Sequence, residues 1–230
     1  MKVVILCGGV GSRLSEETKI IPKPMVKIGR IPILKHIINI YKYYGFNNFI
    51  LATGYKSHII KNYFKKYKNI KCIYTGKSTM TGGRLLRLKK YFNKNEEFML
   101  TYGDGLTNQN LKDLKSYHEK NNKIVTMTVV KPPARFGEVF LKGNIIKKFE
   151  EKPQLSNSWI NGGFFVFNYK IFDYIKNDKT MLERDPLNTL VKLRQANAFR
   201  HNGFWQCMDT MRDKNILCNM IKEKKALWIK

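Results

Sequence analysis

The 230 residues predict an α/β fold: a mixed, mostly parallel central sheet with helices on both faces. Three observations predict it. The chain opens on an unbroken apolar, β-branched run, Val3 to Cys7, the pattern of a strand buried on both faces. From there to residue 130, short apolar runs alternate with segments of helical period. Beyond residue 131 the strands are shorter and less regular, with a hairpin signal at Lys142-Gly143-Asn144, which reads as a smaller antiparallel part. No linker composition separates the two patterns, so one domain, 1–230, is expected, with halves 1–130 and 131–230.

The first strand runs into Gly8-Gly9-Val10-Gly11-Ser12-Arg13. The glycines let the backbone turn tightly and approach a ligand with no Cβ in the way. Backbone N–H groups converging in such a loop suit a phosphate. Ser12 adds a hydroxyl donor, and Arg13 a planar cation able to grip two phosphate oxygens. Neither a Walker loop nor a dinucleotide fingerprint is present, because Leu14 stands where a third glycine belongs. Lys23 lies between Pro22 and Pro24, which are expected to hold it extended and are poorly explained around a solvated charge. A glycine-rich turn is the plainer reading of the glycines alone; Ser12, Arg13 and the Pro-Lys-Pro clamp favour an anion site.

A helix is expected from Pro32 to Tyr41, stopped at Gly45, with His36 a structural or surface residue. Strands follow at Phe49–Ala52 and Ile70–Tyr74, around a helix at His58–Tyr67 whose lysines read as a solvated face. In Ser78-Thr79-Met80-Thr81-Gly82-Gly83-Arg84 the glycines would let a helix N-terminus approach a ligand, with Arg84 starting a basic helix through Tyr91; a loop and helix cap fit equally. The strand Phe98–Tyr102 ends in Gly103-Asp104-Gly105. A carboxylate at the C-terminal end of a central parallel strand stands where open α/β sheets bind ligands, and Asp104 suits Mg²⁺, although Asp-Gly is also a common turn. A helix at Leu111–Lys120 and a strand at Ile124–Val130 complete the first half.

In the second half, Lys152 before Pro153 reads locally as a surface charge. Asn161 beside Gly162 is either a strand-entry turn or an amide that both donates to and accepts from hydroxyls. A strand at Phe164–Phe167, a helix at Pro186–Ala196, a strand at Phe204–Met208 and a helix at Thr210–Lys224 follow, with Asp209 placed as an N-cap and Trp205 as a packing residue.

The net charge of +26 invites a nucleic-acid reading. Against it, the cations are mostly Lys, scattered over many helices, and no nucleic-acid-binding motif is present. Abundant Lys, Asn and Ile together point to compositional bias, so no nucleic-acid partner is expected; the charge would still attract anionic substrates. No apolar run reaches the length of a membrane span and no signal pattern opens the chain, so no membrane partner and a cytoplasmic location are expected. Cys7, Cys72, Cys207 and Cys218 are scattered and read as reduced thiols.

Taken together, LCGGVGSRL and PKPMVKIGRIPIL resemble the start of the sugar-1-phosphate nucleotidyltransferases. The blocks STMTGGRL, TYGDG, PPARFGEV, FEEKP, INGGFFVF and GFWQCMDTMRDK bring the chain nearest to the glucose-1-phosphate cytidylyltransferases, over essentially its whole length. The resemblance implies a Rossmann-like nucleotidyltransferase fold. It also implies transfer of a nucleotidyl group, CTP favoured, to glucose 1-phosphate, for deoxysugar or surface-glycan synthesis such as the lipopolysaccharide O-antigen. It places Leu6, Cys7, Gly8, Gly9, Gly11, Ser12, Arg13, Lys23, Thr79, Arg84 and Gly103 at the nucleotide, with Arg13 and Lys23 catalytic. Lys152, Asn161 and Gly162 fall at the sugar phosphate, and Asp104 and Asp209 at Mg²⁺. A homo-oligomer is compatible with it. The chain departs from the family pattern in lacking an extra stretch between the third strand and the TGGR block, which bears on subunit contacts and on base and sugar preference.

Overall fold

The computed structural model describes residues 1–132, 138–150 and 158–230. The Val3–Cys7 run forms β1 (Lys2–Cys7), followed by a 3₁₀ turn at Ser12–Leu14 and α1 (Ser15–Thr18). Lys23 opens a second 3₁₀ turn, Lys23–Met25. Pro22 is extended as expected, but Lys23 is not: Met25 N–H donates to Pro22 O and Val26 N–H to Lys23 O, and these turn bonds override the local preference of a residue before proline. The short strands β2 (Lys27–Ile28) and β3 (Ile31–Pro32) lead into α2 (Ile33–Tyr43), and Gly45 follows in the left-handed region. Next come β4 (Asn48–Thr53), α3 (Ser57–Phe64), β5 (Ile70–Tyr74) and α4 (Thr81–Leu86). The basic helix expected from Arg84 to Tyr91 is instead the end of α4 plus a 3₁₀ turn at Lys89–Tyr91.

The next elements are β6 (Glu97–Tyr102), β7 (Gly105–Thr107), α5 (Leu111–Asn121) and β8 (Val125–Val130). The predicted hairpin is present as β9 (Glu138–Lys142) and β10 (Ile145–Glu150), a separate antiparallel pair turning at Gly143. β11 (Ile160–Asn168) leads to α6 (Asp185–Lys192), β12 (Ala196–His201), β13 (Trp205–Cys207) and α7 (Met211–Lys222). The helix expected to reach Ala196 stops at Lys192, because Arg194 takes a left-handed conformation that no glycine announces. The strand after it, β12, is an edge strand whose polar residues and partial exposure hide it from pattern reading.

The central sheet has seven strands in the order β12-β8-β11-β6-β1-β4-β5. β11 is antiparallel to β6 and β8, while β12–β8, β6–β1, β1–β4 and β4–β5 are parallel. Strands from both sequence halves share this one sheet. Successive residues alternate between its faces. Val3, Ile5, Leu51, Met99, Phe164 and Val166 pack in one core with α2, α3, α5 and α7. Val4, Leu6, Ile50, Leu100, Phe165 and Phe167 pack in the other with α4 and α6. Among the described residues, no helix is long and apolar enough to cross a membrane.

His118 on α5 is fully buried against β8, its Nδ1 2.8 Å from Thr126 Oγ1 and its Nε2 3.5 Å from Glu97 Oε1. Burial holds its pKa at about 4. The unfolded chain, near 6.5, therefore binds the proton first. The stability that His118 contributes is complete above about pH 6.5 and falls by about 1.4 kcal/mol per unit as pH drops toward 4. Urea titrations should show the gap between wild type and His118→Gln growing across that window and flat above it; a pH-independent gap would refute the linkage.

Candidate active site

The site lies at the C-terminal ends of β1 and β6. The short pair β7–β13 sets Cys207 opposite Gly105, and Met208 N–H donates to Asp104 O at 2.8 Å. This brings together Asp104 and Asp209, which lie far apart in the sequence. Lys23 Nζ sits between them, 2.6 Å from Asp104 Oδ2 and 2.6 Å from Asp209 Oδ1. Arg13 Nη1, on a largely exposed side chain, lies 3.0 Å from Asp209 Oδ2. Asp209 does not cap α7. Thr210 does, in a reciprocal capping box with Asp213, whose Oδ2 also accepts from Asp209 N–H at 3.0 Å. The Asp209 carboxylate is thereby left to the site.

Burial works against the charges of Lys23 and Asp209, and pairing reverses it. Burial lowers the Lys23 pKa, but the charges and hydrogen bonds of Asp104 and Asp209 raise it further, so the ammonium is firmly protonated. Burial raises Asp209, but Lys23 and Arg13 bring it below its ordinary value. Burial and the neighbouring carboxylates push the Cys207 thiol up to about 12, so it is a neutral donor toward Asp209 at 3.6 Å and no nucleophile. Two carboxylates already converging on one cation form a donor set that suits a hard divalent ion sharing its shell with phosphate oxygens. Among the described residues, no cluster of three or more His, Cys, Asp or Glu side chains offers a self-contained metal cage.

Two cavities meet at this centre. One of about 300 Å³ is lined by Leu6, Cys7, Gly8, Gly9, Gly11, Lys23, Thr79, Arg84 and Gly103, with Pro24, Met80, Thr81, Tyr102 and Asp104. It gathers the residues expected at a nucleotide, except Ser12 and Arg13. The other, of about 310 Å³, holds Arg13, Asn161, Gly162, Trp205, Cys207 and Asp209, and shares Tyr102 and Asp104 with the first. Trp205, expected only to pack, is a wall of this cavity, and its Nε1–H donates to Gly162 O at 2.7 Å. Lys152 lies outside the described residues, as do parts of the PPARFGEV and FEEKP blocks.

Arg84 is buried, and its guanidinium is spent on protein oxygens: Gly8 O at 2.9 Å, Gly76 O at 2.6 Å and Thr75 Oγ1 at 3.0 Å. A Cβ on Gly8 would fall 2.0 Å from its Nη1, so Gly8 is glycine to admit this arginine. Gly82 and Gly83, for which ligand approach and a loop with a helix cap fit equally in the sequence, meet main chain in the structure. A Cβ on Gly83 would lie 2.4 Å from Asp178 O, so these glycines let α4 pack on the 178–180 backbone. Tyr102 and Glu183 escaped the sequence reading. Tyr102 stands one residue before the Gly103-Asp104 pair, a usable signal, whereas Glu183 belongs to no motif.

Residues 2–206 match the nucleotidyl transferase family. The chain belongs to that family. It is 42% identical to the glucose-1-phosphate cytidylyltransferase of Salmonella typhimurium, over 99% of this chain and 98% of that one. It is 41% identical to the probable glucose-1-phosphate cytidylyltransferase of Bacillus subtilis, over 99% of each. Both alignments span 253 positions, more than this chain has, so each relative carries residues that have no counterpart here. The fold is similar to that of a putative glucose-1-phosphate thymidylyltransferase from Bacillus anthracis, at TM-score 0.74 and 20% identity over 95% of this chain and 96% of that one. This protein is a nucleotidyltransferase.

Arg84 satisfies carbonyl and hydroxyl acceptors at Gly8, Thr75 and Gly76 from a buried position. Arg84→Met should cost about 2–4 kcal/mol of unfolding free energy, because buried acceptors are left unpaired. Guanidinium unfolding measures it; a loss below 1 kcal/mol would mean that the loop does not depend on this side chain.

Proposed function

We propose that the enzyme transfers a cytidylyl group from CTP to glucose 1-phosphate, releasing pyrophosphate and CDP-glucose for deoxysugar or surface-glycan synthesis. The observation that carries this reading is the meeting of two cavities at one charged centre, the larger set of nucleotide candidates on one side and Asn161 and Gly162 on the other. Identity to cytidylyltransferases at 42% over nearly the whole chain supports the choice of base and sugar.

The nucleophile, a phosphate oxygen of the sugar phosphate, is already an anion and needs no general base. It attacks the α-phosphorus as the bond to the bridging oxygen breaks, and pyrophosphate leaves with that electron pair. The work of the protein is therefore positioning and charge stabilisation. The Gly8–Gly11 loop offers backbone donors with no side chain in the way, and Arg84 holds that loop rigid from behind. Lys23, fixed within its two-proline turn, supplies positive charge beside the α-phosphate. Arg13, exposed at the mouth and paired with Asp209, has further guanidinium donors to offer phosphate oxygens. Asp104 and Asp209 would hold Mg²⁺, which supplies charge neutralisation for the phosphates when bound. Lys152 would meet the sugar phosphate.

Pyrophosphate release with Mg²⁺, glucose 1-phosphate and each of CTP, dTTP, UTP, GTP and ATP tests the reading. Turnover with CTP is expected; turnover with another nucleotide alone keeps the reaction and overturns the base, and none with any overturns the substrate pair.

The aspartate pair gives a second test without turnover. Lys23→Met leaves two partly buried carboxylates facing each other and should cost about 2 kcal/mol or more of stability. Millimolar Mg²⁺ should restore much of that, and NaCl at equal ionic strength should not. The same melts on Lys23→Met/Asp104→Asn should show neither the deficit nor the rescue; rescue by both salts alike would argue against a metal role for the pair.

A further inference from the structure

Tyr102 separates the two cavities, and its surroundings determine the direction of every hydrogen bond around it. Its hydroxyl donates to Glu183 Oε1 at 2.6 Å. The other carboxylate oxygen, Oε2, accepts from Thr81 Oγ1–H at 2.6 Å, and Thr81 Oγ1 in turn accepts from Leu182 N–H at 2.9 Å. With its proton committed to Glu183, the Tyr102 oxygen acts as an acceptor, and Asn161 Nδ2–H donates to it at 3.2 Å. Asn161 Oδ1 accepts from Gly163 N–H at 2.7 Å. A backbone N–H can only donate and a carboxylate can only accept, so both arms of the chain, from Leu182 N–H and from Gly163 N–H, donate toward Glu183. The ring is fixed as well. Gly163 is in the left-handed region at φ 77°, and a Cβ there would lie 2.7 Å from Tyr102 Cδ2; Phe165 meets the ring edge-on at 5.7 Å between centroids.

Among the described residues, one donor of this network is left uncommitted: the second amide hydrogen of Asn161, a residue lining the cavity that also holds Arg13 and Trp205. We infer that Glu183 is a positioning residue which, through Tyr102, fixes the Asn161 amide so that its remaining N–H is offered to a hydroxyl oxygen of the sugar. The inference rests on the reading of that cavity as the sugar-phosphate side. Glu183 is needed as a carboxylate, because two hydroxyl donors converge on it. A carboxamide accepts from only one of them and turns an N–H toward the other, which breaks the polarity.

The test uses the full-length enzyme with Tyr102→Phe, Glu183→Gln and the double variant. Loss of a hydrogen bond of this kind corresponds to about a tenfold change. Each single variant should raise KM for glucose 1-phosphate about tenfold, move KM for CTP less than twofold, and the double should be no worse than either single. The Asn161 carboxamide protons, followed by NMR hydrogen exchange, should lose protection in all three. Additive KM effects, an equal rise in KM for CTP, or unchanged carboxamide exchange would overturn the inference. If the wild type fails to use glucose 1-phosphate with any nucleotide, the substrate proposal falls on its own, and the carboxamide exchange still decides for or against the relay.

Discussion

The bond from Met208 N–H to Asp104 O is the constraint on which the site depends. It is a backbone bond one residue beyond the pairing of two short strands, β7 and β13, that lie outside the central sheet. Without it, Asp104 at the end of β6 and Asp209 before α7 would have no reason to converge. With it, two carboxylates are forced to share a small volume, an arrangement that is costly unless a cation stands between them. Lys23 is that cation, and the 3₁₀ turn that places it is held by Pro22 on one side and by the Val26–Lys23 backbone bond on the other. The chemistry of the centre follows from that backbone geometry.

Glycine serves different ends at neighbouring positions. Gly9 has open space where a Cβ would be, as a residue facing a ligand should. Gly8 and Gly54 have the Arg84 guanidinium there instead, within 2.0 and 2.5 Å of the ideal Cβ positions. Arg84 thus acts like an internal cross-brace, tying the loop after β1 to the segments after β4 and β5 through their carbonyls. An arginine in this place binds several acceptors in one plane, which a lysine could not. Buried, with its donors on the main chain, it shapes the nucleotide-side cavity without needing to point into it.

Much of this was legible in the sequence because the relevant signals are local. The apolar run Val3–Cys7, the glycines after it, and Gly103-Asp104-Gly105 at a strand end each carry their meaning within a few residues, and each falls where expected. What was not legible depends on tertiary partners. Whether Gly82 and Gly83 face a ligand or the 178–180 backbone cannot be read from the glycines themselves. Asp209 looked like a helix cap until Thr210 and Asp213 closed a capping box one residue later. β12 escaped because an edge strand need not alternate cleanly, and Glu183 because nothing near it in sequence reveals that Tyr102 and Thr81 converge on it.

The net charge of +26 suggests a site that draws in polyanions by raw electrostatics, yet the centre itself is balanced. Lys23 and Arg13 face Asp104 and Asp209, two positive groups against two negative ones. Among the described residues, a triphosphate arriving here would meet no unpaired cation at that centre. For Lys23 to turn its charge toward phosphate, Asp104 and Asp209 must first find another positive partner, since two adjacent carboxylates cannot both remain ionised without one. In the proposed mechanism that pairing would also act as a gate, with Lys23 poised by the carboxylates but withheld by them. The diffuse lysines over the helices can raise the local concentration of anionic substrates. The proposed chemistry would be committed at Asp104 and Asp209, which the β7–β13 pair brings together, and at Lys23, which the Lys23–Met25 turn places between them.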